Sequence, residues 1–326
     1  MRRVLITGGT GFIGSHAVEA FLAGQWTVRA LVRSPSRLTW LAGLPIETIV
    51  GRLDDAASLG VAAGGCDVVV HCAGLTKALH REDLFRINGT AVGDFAAVAR
   101  QAGVRRFVLC SSQAAAGPSA GCAAVTENDE PHPLSAYGQS KLQGERLLHD
   151  NADGMEWVVL RPPSVVGPRD QQFLALFRAV ARYGIYPQFG GGAQRYSFIS
   201  VHDLTRALRT AAETERGLND VYFVANPEAV TWSDLSSVIA RVVGRRARPL
   251  RLGKNALTVL SLLAETAARW RGKPALLSRD KLNEILASGW VCSTEKIRRV
   301  WEFGCQWPLE ATIRDTLNAY RQAKWL

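Results

Sequence analysis

Three side chains in this sequence have the types and spacing to move a proton at a carbonyl or alcohol oxygen. Tyr137 and Lys141 stand four apart in Ser135-Ala-Tyr137-Gly-Gln-Ser-Lys141, one turn apart on the same face of a helix. A phenol titrates near pH 10 and is a poor acid or base at neutrality, but a neighbouring ammonium favours the phenolate and lowers that value. Such a pair also falls by chance on many surface helices, so a third residue has to give it meaning. Arg106-Phe-Val-Leu-Cys-Ser111-Ser112 reads as a buried strand ending in two hydroxyls, at the place where an open α/β sheet presents functional groups. The loop between Ser112 and Tyr137 is long enough to return the chain to one pocket. A serine hydroxyl and a phenol sharing one carbonyl oxygen would polarise it for hydride transfer.

A hydride carrier has a matching cradle at the start of the chain. Arg3-Val-Leu-Ile-Thr-Gly8-Gly-Thr-Gly11-Phe12-Ile13-Gly14 is an apolar run that breaks into glycines spaced three apart. That pattern reads as a strand, a tight turn and a helix whose N-terminal N–H groups can meet a phosphate. Gly8 suits the turn, Gly11 close approach to a pyrophosphate, and Gly14 helix-on-strand packing. Glycine triplets also occur in ordinary loops. Here the required context is present, with an apolar strand before the motif and a helical pattern over Phe12–Leu22 after it.

The second strand ends Val28-Arg-Ala-Leu-Val32-Arg33-Ser-Pro-Ser-Arg37. A free ribose 2′-hydroxyl is normally held by an acidic residue about 20 residues past the glycine turn. Arg33 cannot accept that hydrogen bond and suits a 2′-phosphate, with Arg37 close by in sequence, so NADP(H) is favoured. An arginine stacking on the adenine of NAD(H) stays open.

The elements that must position these groups alternate. Arg3–Thr7, Thr27–Val32, Pro45–Val50, Asp67–His71, Phe107–Ser111 and Trp157–Leu160 are short β-rich runs, with helical patterns such as Leu84–Ala102 and Ser135–His149 between them. The expected fold is therefore α/β, a doubly wound parallel Rossmann sheet with a smaller C-terminal substrate-binding lobe. Residues 1–165 would form the dinucleotide-binding domain, with 195–226 adding late sheet elements. Residues 166–194 and 227–326 would form the lobe, including turn-rich pieces at Val166–Asp170 and Phe189–Gly192 and helices at Asp203–Thr214 and Trp232–Val243.

Composition narrows the setting. The 326 residues, 47% hydrophobic and 21% charged, suit a large soluble α/β domain with an appendage. The charged start runs directly into the first strand, unlike a secretion signal, and no apolar stretch reaches the ~18 residues needed to span a bilayer. Six cysteines (Cys66, Cys72, Cys110, Cys122, Cys292, Cys305) show no C-x-x-C pair and no metal-ligand spacing, as expected for reduced thiols in a cytoplasmic protein without a metal. The net charge of +10 is mostly scattered arginine, denser at Arg245, Arg246, Arg248 and Arg251. A solvated face is the plain reading; an acidic substrate or an anionic membrane surface stays open, and nucleic acid finds no recognition module. Ala256–Trp270 is a strongly apolar helix with Lys254 before it and Arg269, Arg271 and Lys273 at its end. It is expected to close a hydrophobic pocket or dock on the body, with a position flat on a membrane as the alternative.

Taken together these residues resemble the extended short-chain dehydrogenase/reductase family, the NAD-dependent epimerase/dehydratase group. The resemblance runs through Thr7–Gly14, Gly51-Arg-Leu53-Asp-Asp55, His71-Cys72-Ala73-Gly74, Asn88, the Ser112/Tyr137/Lys141 set, Leu160–Pro168 and Phe198–Asp203. It implies Tyr137 as general acid/base, Lys141 on the nicotinamide ribose and lowering the tyrosine pKa, and Ser112 orienting the substrate oxygen. It further implies Gly8, Gly11, Phe12, Ile13, Gly14, Arg33, Arg37, Cys72 and Asn88 at the cofactor. Leu53, Ala73 and Gly74 would line its adenine–ribose side, and Pro162 to Val165 would lie near the carboxamide. Arg195 resembles the arginine that grips a diphosphate in nucleotide-sugar members. Departures are Arg52 for the usual aspartate beside adenine, Ala91 and Val92 for a glycine and threonine, and Val166 where tyrosine is common.

Three functions follow from that resemblance. A ketone reductase or alcohol dehydrogenase on a hydrophobic substrate is favoured, with Trp290 and the apolar helix suggesting greasiness, as in hydroxysteroid-dehydrogenase-like branches. A nucleotide-sugar epimerase or dehydratase and a non-catalytic cofactor-binding subunit are the alternatives. The partner is a small-molecule substrate, and a homodimer stays open.

Overall fold

The apolar runs that stop at glycine or polar turns fold as neighbouring strands of one parallel sheet. The computed structural model describes residues 2–34, 38–120, 123–189, 192–275 and 278–326. Its seven-stranded sheet has the order Asp220–Phe223, Glu156–Arg161, Arg106–Cys110, Val68–His71, Arg3–Thr7, Thr27–Val32, Glu47–Val50. Each adjacent pair is parallel. The chain steps outward from Arg3–Thr7 through the second and third strands, then crosses back to lay Val68–His71 on the other side. Order reverses there, and the crevice outside the carboxyl ends of those two strands is where such a sheet takes a ligand.

Helices cover both faces, so consecutive residues of the central strands are buried. Val4 and Ile6 pack with Phe21 of the Phe12–Ala23 helix and Leu208 of the Val201–Glu213 helix. Leu5 turns the other way, onto Leu59, Phe95 and Leu148. That is why Arg3–Thr7 reads as a continuous apolar run rather than an alternating one. A separate core of Phe177, Ile239, Ile313, Leu317 and Tyr320 holds the later helices Trp232–Val243 and Leu309–Gln322 together. The first of these starts at a reciprocal Thr231/Asp234 cap and stops at Gly244, whose φ is 80°, which fixes both ends as the sequence suggests.

Two expectations change. The helix expected over Leu84–Ala102 is built as Arg81–Phe85, one wide π-type turn at Arg86–Thr90, and Ala91–Gln101. The wide turn carries Asn88, whose amide is fixed by Leu75 and Ser140. At Gly89 a Cβ would lie 2.3 Å from Gln143 Oε1, so the wide turn passes close to that side chain. The apolar helix runs Lys254–Arg271 and does not close a pocket with its apolar side. Leu257, Ser261 and Ala268 are buried, whereas Val259, Leu260, Leu263 and Trp270 face solvent. Among the described residues no helix is long and apolar enough to cross a membrane. The five described cysteines are free thiols, and Cys122 lies outside the described residues.

His71, the last residue of its strand, is fully buried against Phe95 and Phe107 and hydrogen-bonds the Thr7 hydroxyl at 2.9 Å. Burial, helped by the Lys141 charge, pushes its pKa from 6.5 to about 3. The unfolded chain therefore binds a proton that the folded one refuses between those values. The stability this group contributes is complete above pH 6.5 and is lost as pH falls toward 3. Denaturant titrations of the protein and His71→Asn from pH 7 to 4.5 should show a shallower fall for the variant, by up to about 1.4 kcal/mol per pH unit. Parallel curves would place the acid-sensitive group elsewhere.

Candidate active site

The candidate site is assembled from the ends of three strands and the starts of two helices. After Thr7 the backbone turns at Gly8 with φ 73°, a left-handed conformation that favours glycine. A Cβ on Gly8 would lie 2.7 Å from the Ala73 nitrogen. Nothing larger lets the first and fourth strands end side by side. Gly11 donates to the Gly8 carbonyl at 2.9 Å and precedes the Phe12–Ala23 helix, which no side chain caps. Its first-turn N–H groups, those of Phe12 and Ile13 among them, are thus left for an anion. A Cβ on Gly14 would lie 2.1 Å from the Gly8 oxygen, so this glycine packs the helix onto the turn. Cradle and donors fit the pyrophosphate of a dinucleotide.

Toward the adenine side, Arg33 follows the second strand and is exposed, while Arg37 lies outside the described residues. Leu53 packs against the sheet face that holds Leu5. Arg52, the departure from the family pattern, forms an ion pair with Asp54 at 2.9 Å, and Arg86 reaches the same carboxylate at 3.1 Å. The Arg52 guanidinium holds the Asp54 carboxyl down at about 2. Deeper in, Cys72, Ala73 and Gly74 follow the fourth strand. A Cβ on Gly74 would lie 2.9 Å from Asn88 Oδ1 and 3.3 Å from Lys141 Nζ, so these three residues form one wall.

Ser135 starts the Ala136–Asn151 helix by accepting a hydrogen bond from the Gly138 N–H at 3.0 Å, a cap worth about 1 kcal/mol. Tyr137 and Lys141 follow on that helix. Lys141 is buried and donates to the Cys110 carbonyl at 3.1 Å. Burial lowers its pKa, against the opposing influence of Cys110, Cys72 and Glu145. Ser112 closes the next turn, accepting from the Ala114 N–H at 3.1 Å, and its side chain lies near enough to Tyr137 to favour the phenolate. Tyr137 is only partly accessible. Enclosure of its hydroxyl raises its pKa above the ordinary phenol value, Ser112 opposing and Cys110 and Glu284 adding to the rise. This is opposite to the expected direction: desolvation by burial is the largest cause, and the Lys141 ammonium is engaged by the Cys110 carbonyl.

Pro162 is buried, and its carbonyl accepts from the Gln113 N–H at 2.8 Å, tying the sixth strand's exit to the Ser112 turn. Val165 is half-buried and pairs with Ile199. Arg195 stands apart. Its guanidinium donates to the Ala229 carbonyl at 2.6 Å in an exposed cleft shared with Pro227 and Val291. Its own carbonyl accepts from the Trp290 N–H at 2.8 Å.

Sequence reasoning missed the clamp on the start of the Ala136–Asn151 helix. The Asp280 carboxylate accepts from the Ala136 N–H at 2.9 and 3.1 Å, and Ser135 donates to Glu284. Trp290 Nε1 donates to the Glu284 carbonyl at 2.8 Å. Two carboxylates at a helix N-terminus suit its dipole. They come from the distant Arg279–Ile285 helix, and no local pattern announces them. Beneath the site, Ser111 donates to Glu145, which pairs with Arg161 at 2.6 Å, both side chains buried.

The sequence pattern described as the NAD dependent epimerase/dehydratase family matches residues 4–225. The chain belongs to that family. A ceramide reductase of Caulobacter vibrioides is 31% identical over 99% of this chain and 96% of its own length. A 4-hydroxy-2-methyl-3-oxo-4-farnesyl-3,4-dihydroquinoline-1-oxide ketoreductase of Stigmatella aurantiaca is 30% identical, covering 82% of this chain and 81% of its own. The solved structure of MoeE5 in complex with UDP-glucose and NAD superposes with a TM-score of 0.79, at 25% identity and 99% coverage of both chains.

The glycines of this epimerase/dehydratase turn can be told from glycines that merely tolerate a side chain. Gly14→Ala forces a methyl onto the Gly8 carbonyl and should destabilise the protein by about 1–3 kcal/mol while weakening dinucleotide binding. Gly60, inside the Ala56–Ala63 helix, has its nearest Cβ neighbour at 3.8 Å. Gly60→Ala should stabilise by about 0.5–1 kcal/mol. Urea titrations of both variants check the pair, and a harmless Gly14→Ala would refute the packing role.

Proposed function

We propose that this chain is an oxidoreductase of the extended short-chain dehydrogenase/reductase type. It transfers a hydride between NADP(H) and a ketone or secondary alcohol on a hydrophobic substrate. The observation that carries the reading is the placement of Tyr137 near Ser112 at the strand ends, one helical turn from the buried Lys141. A protonated phenol is the form a ketone reduction needs. Residues 1–165, with 195–226, hold the cofactor, and 166–194 with 227–326 shape the substrate side. The names of the relatives favour this reading, since both the ceramide reductase and the ketoreductase act by name as reductases on lipid-like molecules.

When bound, the nicotinamide supplies the hydride in reduction or accepts it in oxidation. Ser112 donates a hydrogen bond to the substrate carbonyl oxygen and fixes its direction. Tyr137 donates its proton to that same oxygen as the carbon is reduced, so the product is a neutral alcohol. Lys141 holds the nicotinamide ribose, and its positive charge offsets the phenolate left on Tyr137. Gly8, Gly11, Phe12, Ile13 and Gly14 hold the pyrophosphate. Leu53, Cys72, Ala73, Gly74 and Asn88 line the cofactor's path, Pro162 and Val165 border the carboxamide, and Arg33 and Arg37 meet the 2′-phosphate. A second reading, nucleotide-sugar epimerisation or dehydration with NAD(H), is favoured by Arg195 in its exposed cleft and by the UDP-glucose and NAD bound to MoeE5.

With a panel of hydrophobic ketones and nucleotide sugars, Tyr137→Phe should lose ~10²–10⁴-fold in turnover and keep cofactor affinity. Lys141→Met should lose both, and Ser112→Ala should lose turnover alone. Near-normal turnover in Tyr137→Phe would sink the mechanism. For the cofactor, NADPH should bind more tightly than NADH, and Arg33→Ala should erase about tenfold or more of that preference. Equal preference in both proteins removes Arg33 from the site, and a wild type that favours NADH reverses the cofactor assignment.

A further inference from the structure

Most of the larger apolar side chains of the Lys254–Arg271 helix are turned away from the protein. At about 100° per residue, Leu257, Ser261 and Ala268 share the side that is buried, where the helix meets the Arg279–Ile285 helix. Ala256, Val259, Leu260, Leu263, Ala267 and Trp270 fall on the opposite side within a sector of about 100°. All six are exposed, Leu263 to 63% and Trp270 to 91%. No charged residue interrupts that stripe, and Leu262 at its edge is 43% exposed. An ordinary surface helix carries polar groups there; this helix carries a second apolar stripe instead.

The charge around it is one-sided. Between Gly244 and Leu277 the sequence holds eight basic residues and a single acid, Glu265. Arg251, Lys254, Arg271 and Lys273 are exposed at the two ends of the stripe, and Arg245, Arg246 and Arg248 precede it on exposed chain. Glu265 lies on the inward side, where Arg279 donates to it from its backbone N–H at 2.7 Å and from Nε at 3.2 Å. An apolar stripe ending in a tryptophan and flanked by unopposed cations is complementary to a bilayer with anionic headgroups. A second copy of the chain is a poorer occupant. Pairing two such stripes, parallel or antiparallel, sets basic end against basic end with no acid between them.

We propose that the outward face of the Lys254–Arg271 helix docks on an anionic lipid surface. The helix lies flat, with its leucines and Trp270 among the upper acyl chains and its basic ends on the phosphates. The contact does not depend on which reaction the site performs. It brings the site to the bilayer nonetheless, because Glu265 holds Arg279, and the adjacent Asp280 caps the helix that carries Tyr137.

The test is sedimentation of the full chain with phosphatidylcholine vesicles, with and without about one third phosphatidylglycerol, at about 0.1 M salt. The protein should pellet with the anionic vesicles and partition at least about tenfold less onto the neutral ones. Leu260→Glu with Leu263→Glu should lower anionic partitioning at least about tenfold. These sites are exposed, so an unchanged melting temperature and circular dichroism spectrum would show the fold intact. Lys254→Gln with Arg271→Gln and Lys273→Gln should also weaken anionic binding. Three outcomes overturn the proposal: a wild type that stays in the supernatant, equal binding to both vesicle types, or leucine variants that pellet like wild type. A dimer in light scattering that Leu263→Glu dissociates, without vesicle binding, would give the face to a second copy instead.

Discussion

At Gly8 the backbone leaving the first strand passes so close to the loop after the fourth strand that a methyl group would sit 2.7 Å from the Ala73 nitrogen. The Thr7 hydroxyl bridges the same gap, accepting from the Ala73 N–H at 3.2 Å and bonding His71 at 2.9 Å. Gly14 packs the first helix onto that turn with no room for a Cβ. This junction fixes where the uncapped helix start points. It also fixes how near Gly74 comes to Asn88 and Lys141, and hence the spacing between a phosphate cradle and the Ser112–Tyr137 pair. A core of Val4, Ile6, Phe21 and Leu208 on one face of the sheet, and of Leu5, Phe95 and Leu148 on the other, holds the junction rigid.

Charge in the site is set by burial more than by pairing. Glu145, the carboxylate nearest Lys141 on its own helix, is committed to Arg161 and Ser111. Lys141 is left with a backbone carbonyl as its hydrogen-bond partner. A poorly solvated cation of this kind gains when a negative charge develops nearby, and it raises the cost of a second positive charge on His71. The Asp280 and Glu284 clamp adds negative charge at the start of the same helix, and Glu284 adds to the rise of the Tyr137 pKa. The result is a phenol whose pKa burial raises, on the same helix as a buried cation that is held by a backbone carbonyl.

Much of this was legible in the sequence because the signals are local. Arg3–Thr7 and Thr27–Val32 are bounded by turn chemistry and recur with the expected ends, and Trp232–Val243 sits between a Thr/Asp cap and Gly244. The one-turn spacing of Tyr137 and Lys141 follows from helix geometry alone. What failed depends on distant partners. The direction of the Tyr137 shift required knowing how deeply the fold would bury its hydroxyl. The widened turn at Asn88 lies where the chain passes close to Gln143, a residue far along the sequence. Asp280 and Glu284 reach Ser135 and Ala136 from far along the chain. The Lys254–Arg271 helix is apolar by composition, and composition does not say which way its leucines face.

The central claim is that a hydride passes permanently to a ketone, not transiently to a sugar. Incubation with NADPH deuterated at the transferable position of the nicotinamide, and with a hydrophobic ketone, tests it most directly. The account predicts deuterium on the carbinol carbon of the product and one oxidised cofactor per alcohol formed. Conversion of substrate with no net cofactor oxidation would contradict it, as would an alcohol without the label.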